Sequence, residues 1–511
     1  MQLFISFIVL TLTLSCTKRN SKNKIINDFR TKVFKIYTTS KDPNFVYPWN
    51  HRPASQSNGT GFYIGKNEIM TNAHVVANGR YISVQRDGDS QKKVATVKYI
   101  GHDCDLAILE IADKEYFKNM KAAKFGKVPK LLSPVTTVGY PVGGEQVSTT
   151  DGVVSRLRYS KYTHSGFRQH LMIQVDSAIN PGNSGGPVVQ NGKVVGVAFQ
   201  AFTRAQNTGY IIPTPVVKRF LKDIEDGKYD GHPYSGIHTQ KWATSNPSLR
   251  EYLKLKENQQ GAYVSYIEVA SPAQGIIAPG DIILEIDGSK IGEDGKVDYA
   301  GERVNFLSLF DLKMQKEKVK FKIFREGKTQ TVETNLKTEI PSYNPGHYYG
   351  RYPKFYVYAG MIFNKLTREY LQTWGDKWYS EAPFFLLHLH FYNEFLPDIS
   401  KNDDIIVYGG KMPHPINTYV KTPRNSVLKS MNGQAISSLN QLKTMIEENQ
   451  EDFIKLEFFN DVPDTILHKL SSQKAHEEIL QGYRINPAFW LKDESVDGAI
   501  YEQEKTGVES E

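Results

Sequence analysis

The sequence predicts a fold dominated by β structure, and three observations carry that expectation. The first is 188–197, which reads as two short apolar strands joined by Asn191-Gly192, a dipeptide that suits the positive-φ positions of a tight hairpin. The second is a similar pair: Gly59-Thr60-Gly61-Phe62-Tyr63-Ile64 and Glu68-Ile69-Met70-Thr71 flank a Gly-Lys-Asn turn. The third is Leu106-Ala107-Ile108-Leu109, an apolar strand entered directly from Asp105. Short strands separated by turn residues are the pattern of barrels. At 511 residues the chain exceeds one core, so two to four domains are expected.

Taken from the start, residues 1–15 are dominated by Leu, Ile, Val and Phe and stop at Cys16, which Thr17-Lys18-Arg19 follow. That run is too short to span a bilayer comfortably and reads as an export signal. Leu12-Thr13-Leu14-Ser15-Cys16 resembles a bacterial lipobox, which implies acylation of Cys16 and a place in the cell envelope; plain secretion is the alternative. Residues 17–29 form a linker. Cys16 and Cys104 are the only cysteines, so a lipidated Cys16 leaves no partner for an intrachain disulfide, and Cys104 is expected to be a buried, inert thiol.

Chemistry concentrates at Asn180-Pro181-Gly182-Asn183-Ser184-Gly185-Gly186-Pro187. A serine among glycines on a tight turn gives an incoming carbonyl room to approach, with adjacent amides aimed at the developing oxyanion. Ser184 is the candidate nucleophile, and the amides of Gly182 and Ser184 are the candidate oxyanion hole. A serine hydroxyl is a weak nucleophile at neutral pH, so a histidine must take its proton and a carboxylate must orient that histidine. His74, at the end of Thr71-Asn72-Ala73-His74-Val75-Val76, and Asp105, in His102-Asp103-Cys104-Asp105, fill these roles. Asp103 is the competitor for the acid. His102, His164 and His170 read as surface or core-edge polar residues.

These pieces, in the order His, Asp, Ser, together with Gly139-Tyr140-Pro141-Val142-Gly143-Gly144, Asp176-Ser177-Ala178-Ile179 and Gly209-Tyr210-Ile211-Ile212-Pro213, resemble the HtrA/Deg branch of chymotrypsin-like serine proteases, and the plant-type Deg proteins in particular. The resemblance implies a double β-barrel protease domain at 30–226 with its site in the cleft between barrels, no cofactor and no metal. It also implies a trimer-based homo-oligomer. The substrate pocket is expected around Ala178, Ile179, Val197 and Ala198, which place no carboxylate at its base and favour small or medium aliphatic P1 residues. Segments around Gly143-Gly144-Glu145 and at 160–168 are candidate switching loops.

Residues 214–224 have helical spacing and close this domain; 226–233 is a linker. Tyr234-Ser235-Gly236-Ile237 resembles the carboxylate-binding loop of a PDZ domain, and Gly280-Asp281-Ile282-Ile283-Leu284-Glu285-Ile286-Asp287-Gly288 resembles its strand-turn motif, giving a first PDZ-like domain at 233–340. A divergent second copy is expected at 345–490. There Val357-Tyr358-Ala359-Gly360-Met361-Ile362-Phe363 echoes the binding loop, Met431-Asn432-Gly433 echoes the turn, and 439–448 is amphipathic. An aromatic insert at 374–395 has no counterpart in the first copy, so this domain is expected to hold subunits together rather than to bind free C-termini. His388-Leu389-His390 reads as a polar strand edge, and the acidic 491–511 as a disordered tail.

The net charge of +8, from 63 Lys plus Arg against 55 Asp plus Glu, is interspersed along the chain and offers no concentrated basic face for nucleic acid. The leading expectation is an ATP-independent serine endoprotease of the cell envelope acting on unfolded or exposed polypeptides, with PDZ-like domains engaging peptide C-termini or neighbouring subunits. The competing one is a lipid-anchored binding scaffold, chaperone-like or adhesive, with a latent protease fold.

Overall fold

The computed structural model describes residues 24–492 apart from 167, 202–207, 258, 270, 337–346, 348, 394–395, 397–398 and 400–402. Cys16 and the tail from 493 lie outside the described residues. The chain divides into two compact units: one holds the described residues to 40 and those from 55 to 336, the other 41–54 and the described residues from 347 on.

The first unit begins with two closed barrels. In one, β1 (Val33–Ser40), β2 (Ser55–Gly65), β3 (Glu68–Thr71), β4 (Gly79–Arg86), β5 (Lys93–Gly101) and β6 (Leu106–Glu110) run in the order β1-β2-β3-β6-β5-β4. Phe34, Ile36, Ile69, Val84 and Leu109 fill its interior and are fully buried. The Gly-Lys-Asn turn between β2 and β3 takes positive φ at Gly65, Lys66 and Asn67.

The other barrel comprises β7 (Pro134–Gly139), β8 (Ser148–Lys161), β9 (Gln169–Val175), β10 (Pro187–Gln190), β11 (Lys193–Ala201) and β12 (Gly209–Pro213), ordered β10-β11-β12-β9-β8-β7. Asn191 (φ 49°) and Gly192 (φ 74°) make the β10–β11 turn with the double positive φ that their identities favour. The helix Thr214–Asp223 starts with Pro215 in its first turn and buries Val216, Val217 and Phe220; its Arg219 pairs with Asp223 at 2.8 Å, both buried.

The same unit continues into a small α+β domain. A sheet ordered β13-β14-β15-β19-β20 is built from β13 (Ile237–Gln240), β14 (Ala262–Ile267), β15 (Ile282–Ile286), β19 (Lys318–Arg325) and β20 (Lys328–Asn335), with β16 (Ser289–Lys290) paired to β15 and a hairpin of β17 (Lys296–Tyr299) and β18 (Glu302–Asn305) beside it. The turn before β15 uses Gly280 at φ 93°, and the buried Asp281 carboxylate takes Arg325 Nε at 2.7 Å and a guanidinium NH₂ at 2.6 Å.

The second unit has two four-stranded sheets. One is ordered β23-β22-β21-β28 from β21 (Phe355–Tyr358), β22 (Met361–Lys365), β23 (Ile406–Lys411) and β28 (Phe489–Trp490); the other is β25-β24-β26-β27 from β24 (Leu428–Met431), β25 (Gln434–Ala435), β26 (Phe453–Phe458) and β27 (Thr465–His468). The segment 357–363 that echoes a binding loop forms the β21–β22 hairpin, Val357 opposite Ile362, with its turn at Ala359 (φ 47°) and Gly360 (φ 80°). The helix Leu439–Glu448 is capped by Ser438 and buries Leu439, Leu442 and Ile446.

His388-Leu389-His390 is not a strand edge. It lies in the helix Phe384–Tyr392, where His390 is buried among apolar neighbours while His388 stacks between Phe384 and Tyr392. A nine-residue run without a charge or a breaker is compatible with either element, and here Pro383 leads it into a helix. Residues 41–54 connect β1 to β2 yet belong to this second unit, where Trp49 meets Phe355 and His51 meets Tyr352 edge-on.

Candidate active site

On the first barrel, β3 ends at Thr71 and the chain turns through Asn72 into the single helical turn Ala73–Val76, which carries His74. Asp105 enters β6 with φ 55°, a left-handed conformation that costs a non-glycine residue on the order of 1 kcal/mol or more and needs neighbours to hold it. Three contacts do so. Its two carboxylate oxygens take the His74 backbone N–H at 2.9 Å and face His74 Nδ1 at 2.8 Å, and its carbonyl accepts the Asn72 amide at 2.9 Å.

With a buried carboxylate on Nδ1, that nitrogen carries the proton and Nε2 is left as the basic lone pair. The His74 side chain keeps 32% of its surface exposed, whereas Asp105 is sealed at 1%. Packing around the imidazole lowers its pKa, but the charge and hydrogen bond of Asp105 outweigh that, and the net direction is upward from 6.5.

The second barrel supplies the serine. Thr60, on β2, fastens the turn that bears it: Thr60 N–H donates to the Ser184 carbonyl at 2.8 Å, Thr60 Oγ1 donates to the Gly182 carbonyl at 2.6 Å, and the Thr60 carbonyl accepts Thr71 Oγ1 at 2.7 Å. The serine turn is thereby tied to the strand that leads into His74. From the other side, Gly185 N–H donates to the Ala198 carbonyl and Ala198 N–H to the Gly186 carbonyl.

Two glycines here are required by geometry. A Cβ on Gly182 (φ 96°) would lie 2.3 Å from the Tyr140 carbonyl, and one on Gly185 (φ 86°) 2.0 Å from that of Thr60. Among the described residues neither the Gly182 nor the Ser184 amide donates to a protein acceptor, so both are available to a substrate oxygen. The Ser184 hydroxyl donates to the Phe199 carbonyl at 3.5 Å, and among the described residues no hydrogen bond joins it to His74.

Of the expected pocket residues, Ile179, Val197 and Ala198 are buried and Ala178 is half-buried. Phe199, next to Ala198 on β11, packs against Tyr162 at 4.6 Å between ring centroids. Tyr162 belongs to the 160–168 segment and is fully buried, its hydroxyl donating to the Leu171 carbonyl. In the other candidate loop, the Gly144 carbonyl accepts Lys35 Nζ at 2.9 Å.

Asp103 is turned away from His74: its carboxylate accepts Tyr229 hydroxyl at 2.6 Å and His232 N–H at 2.9 Å. Cys104 is buried, and burial together with the Asp103 charge raises its thiol pKa well above the ordinary value. The histidines set aside in the sequence are more deeply engaged than surface residues. His102 Nδ1 meets His164 Nε2 at 2.9 Å, and the His164 ring stands 6.1 Å from that of His74. His170 is fully buried. No local motif distinguishes these three, because their partners come from distant positions.

Tyr234-Ser235-Gly236-Ile237 leads into β13, with Gly236 at φ 59° and Ile237 buried. Beside it lies a cavity of about 300 Å³ whose lining includes Tyr234, Lys241, Leu307 and Phe310, with Arg168 from the protease part.

A family model described as a trypsin-like peptidase domain matches residues 59–197, and two PDZ domain models match 253–336 and 344–489. Protease Do-like 4, mitochondrial, of Arabidopsis thaliana is 35% identical over 458 residues, covering 89% of this chain and 84% of that protein. Protease Do-like 2, chloroplastic, of the same plant is 33% identical and covers 89% and 74%. This chain belongs to the Do-like (HtrA/Deg) family of serine proteases. It is a serine endopeptidase with a trypsin-like domain followed by two PDZ domains. Among solved structures, the HtrA-type protease AlgW with tripeptide aligns with a TM-score of 0.49 at 24% identity, over 62% of this chain and 97% of that one.

Proposed function

We propose that this Do-like protease hydrolyses exposed or unfolded polypeptides in the cell envelope, without ATP, through Ser184, His74 and Asp105. The observation that carries the assignment of residues is the double hold of Asp105 on His74, at 2.9 and 2.8 Å, together with the Thr60 and Thr71 bonds that tie a serine turn with two uncommitted amides to the strand leading into His74. In this reading Ser184 attacks the peptide carbonyl while His74 Nε2 takes its proton. The Gly182 and Ser184 amides stabilise the oxyanion, and His74 then protonates the leaving amine. Water attacks the acyl-enzyme by the same path and frees Ser184. Asp105 keeps the imidazolium oriented and does not itself take the proton.

The apolar character of the buried Ile179, Val197 and Ala198, where the family resemblance implies the substrate pocket, supports cleavage after small or medium aliphatic residues. The lipobox-like Leu12-Thr13-Leu14-Ser15-Cys16 supports export and anchoring through Cys16. The loop at 234–237 and its adjoining cavity support capture of a peptide terminus by the first PDZ domain.

The test is labelling of the protein lacking residues 1–16 with a fluorophosphonate, beside Ser184→Ala and a casein-degradation assay. Labelling and casein loss that both vanish in Ser184→Ala support the reading. Labelling that persists in that variant removes Ser184 from its role, and labelling without proteolysis by the wild type favours the latent scaffold.

A further inference from the structure

Beside the catalytic groups lies a buried chain of polar contacts in which the first PDZ domain reaches the strand entry bearing Asp105. His170, at the start of β9, is fully buried, and Asp311, in the short helix Leu307–Asp311, is nearly so. His170 Nε2 lies 2.8 Å from the carbonyl of Asp103, and His170 Nδ1 lies 2.9 and 3.1 Å from the two Asp311 carboxylate oxygens. His232, in the linker between the domains, places its own Nδ1 3.0 Å from an Asp311 oxygen, while its backbone N–H holds the Asp103 carboxylate.

Both His170 nitrogens face acceptors, Nε2 the Asp103 carbonyl and Nδ1 the Asp311 carboxylate, so the ring bridges the two. His232 faces an acceptor only at Nδ1; its Nε2 has no partner among the described residues, and burial, the largest influence on it, pushes its pKa down. Asp311 is held well below the usual carboxylate range: burial opposes ionisation, but the two histidines outweigh it.

The contact lands where it matters mechanically. Asp105 needs φ 55°, and the two residues before it have no regular secondary structure to hold them. The Asp103 side chain is fixed by Tyr229 hydroxyl, His232 N–H and Cys104 N–H, and its carbonyl by His170. Every one of these anchors, Cys104 excepted, lies outside the first barrel.

We propose that His170 and Asp311 are positioning residues for proteolysis: Asp311 of the first PDZ domain orients His170, which holds the Asp103 carbonyl and thereby sets Asp105 against His74. Asp311→Asn keeps the shape and loses the charge; His170→Gln shortens the reach to the Asp103 carbonyl. Each lowers kcat on a short aliphatic peptide anilide about tenfold per active site, a fraction of the roughly hundredfold that a 1 Å misplacement costs. KM stays within twofold.

Counting sites by fluorophosphonate titration separates this from loss of folded enzyme, and Asp281→Asn, which breaks the Arg325 pair in the same domain, serves as a destabilised control with unchanged kcat per site. The double variant loses no more than the worse single one, because both residues act through one contact. If His170→Gln does not fold, the isosteric Asp311→Asn decides the matter alone. Unchanged kcat per site in Asp311→Asn overturns the proposal, as do losses that multiply in the double variant. A kcat loss of the same size after treating the wild type with a chelator also overturns it, since His170, His232 and Asp311 lie within 4.8 Å and would then be holding a metal ion. Because titration counts reactive serines, failure here is distinct from failure of the Ser184 assignment.

Discussion

Gly182→Ala tests whether the serine turn works as an oxyanion hole. Gly182 sits at φ 96°, where an L-residue is strained, and the new Cβ would meet three backbone atoms: the Tyr140 carbonyl at 2.3 Å, Val142 N at 2.7 Å and the Pro141 carbonyl carbon at 2.9 Å. None is the end of a flexible side chain that could swing aside. Restoring ordinary contact requires the turn to shift by roughly 1 Å, and the Gly182 amide moves with it out of reach of the oxyanion. Loss of one such donor costs about 10²- to 10³-fold in kcat, or about 3–4 kcal/mol of transition-state stabilisation. The assay is steady-state hydrolysis of an aliphatic peptide anilide alongside the rate of fluorophosphonate labelling, whose phosphoryl oxygen uses the same amides. Both rates are expected to fall together, with KM within a few-fold of wild type. A folded variant whose kcat stays within threefold would refute the reasoning.

Asp105→Asn reverses the imidazole tautomer, because an amide N–H then faces His74 Nδ1; kcat is expected to drop about 10⁴-fold with His74 still in place, as measured by burst-free steady-state kinetics. The acid limb of the wild-type kcat/KM profile is expected at a midpoint above 6.5, since Asp105 outweighs the lowering effect of packing on His74. The neutral base form is lost as pH falls through that raised value, whereas the stability contributed by the pair is present at low pH and is lost as pH rises through it. Asp281→Ala leaves Arg325 and the Ala278 N–H without their carboxylate and is expected to cost about 3 kcal/mol, read as a lower urea midpoint. Cys104 is expected to resist iodoacetamide in the native protein and to react only on unfolding, which mass spectrometry reads directly. Cys16→Ala is expected to abolish incorporation of labelled palmitate in a bacterial host, with wild-type labelling as the reference.

The local chemistry was legible because it depends on short-range requirements. A serine turn needs glycines at 182 and 185, a hairpin needs Asn191-Gly192, and a helix of 439–448 needs its apolar spacing. Each is decided within a few residues, so each is written in consecutive letters. Where the local pattern was ambiguous the reading failed: 384–392 has no charge, no breaker and no clear period, and its burial against the second unit's own core made it a helix.

What the sequence determined by itself is thus the candidate serine's setting and the order His, Asp, Ser, which rest on turn chemistry and strand entry, while the two barrels and two PDZ domains followed from the resemblance of its motifs to the HtrA/Deg and PDZ families. The sequence pointed to Asp105 over Asp103, and the tertiary structure supplied the physical reason. Asp103 and Asp105 differ by two positions, and it is Asn72 and a left-handed φ that aim Asp105 inward, while Tyr229 and His232 take Asp103. Tertiary structure alone assigned 41–54 to the second unit and joined His170 to Asp311 across 141 residues. Contacts at such separations arise from the packing of whole elements, and nothing in the residues next to either partner specifies them.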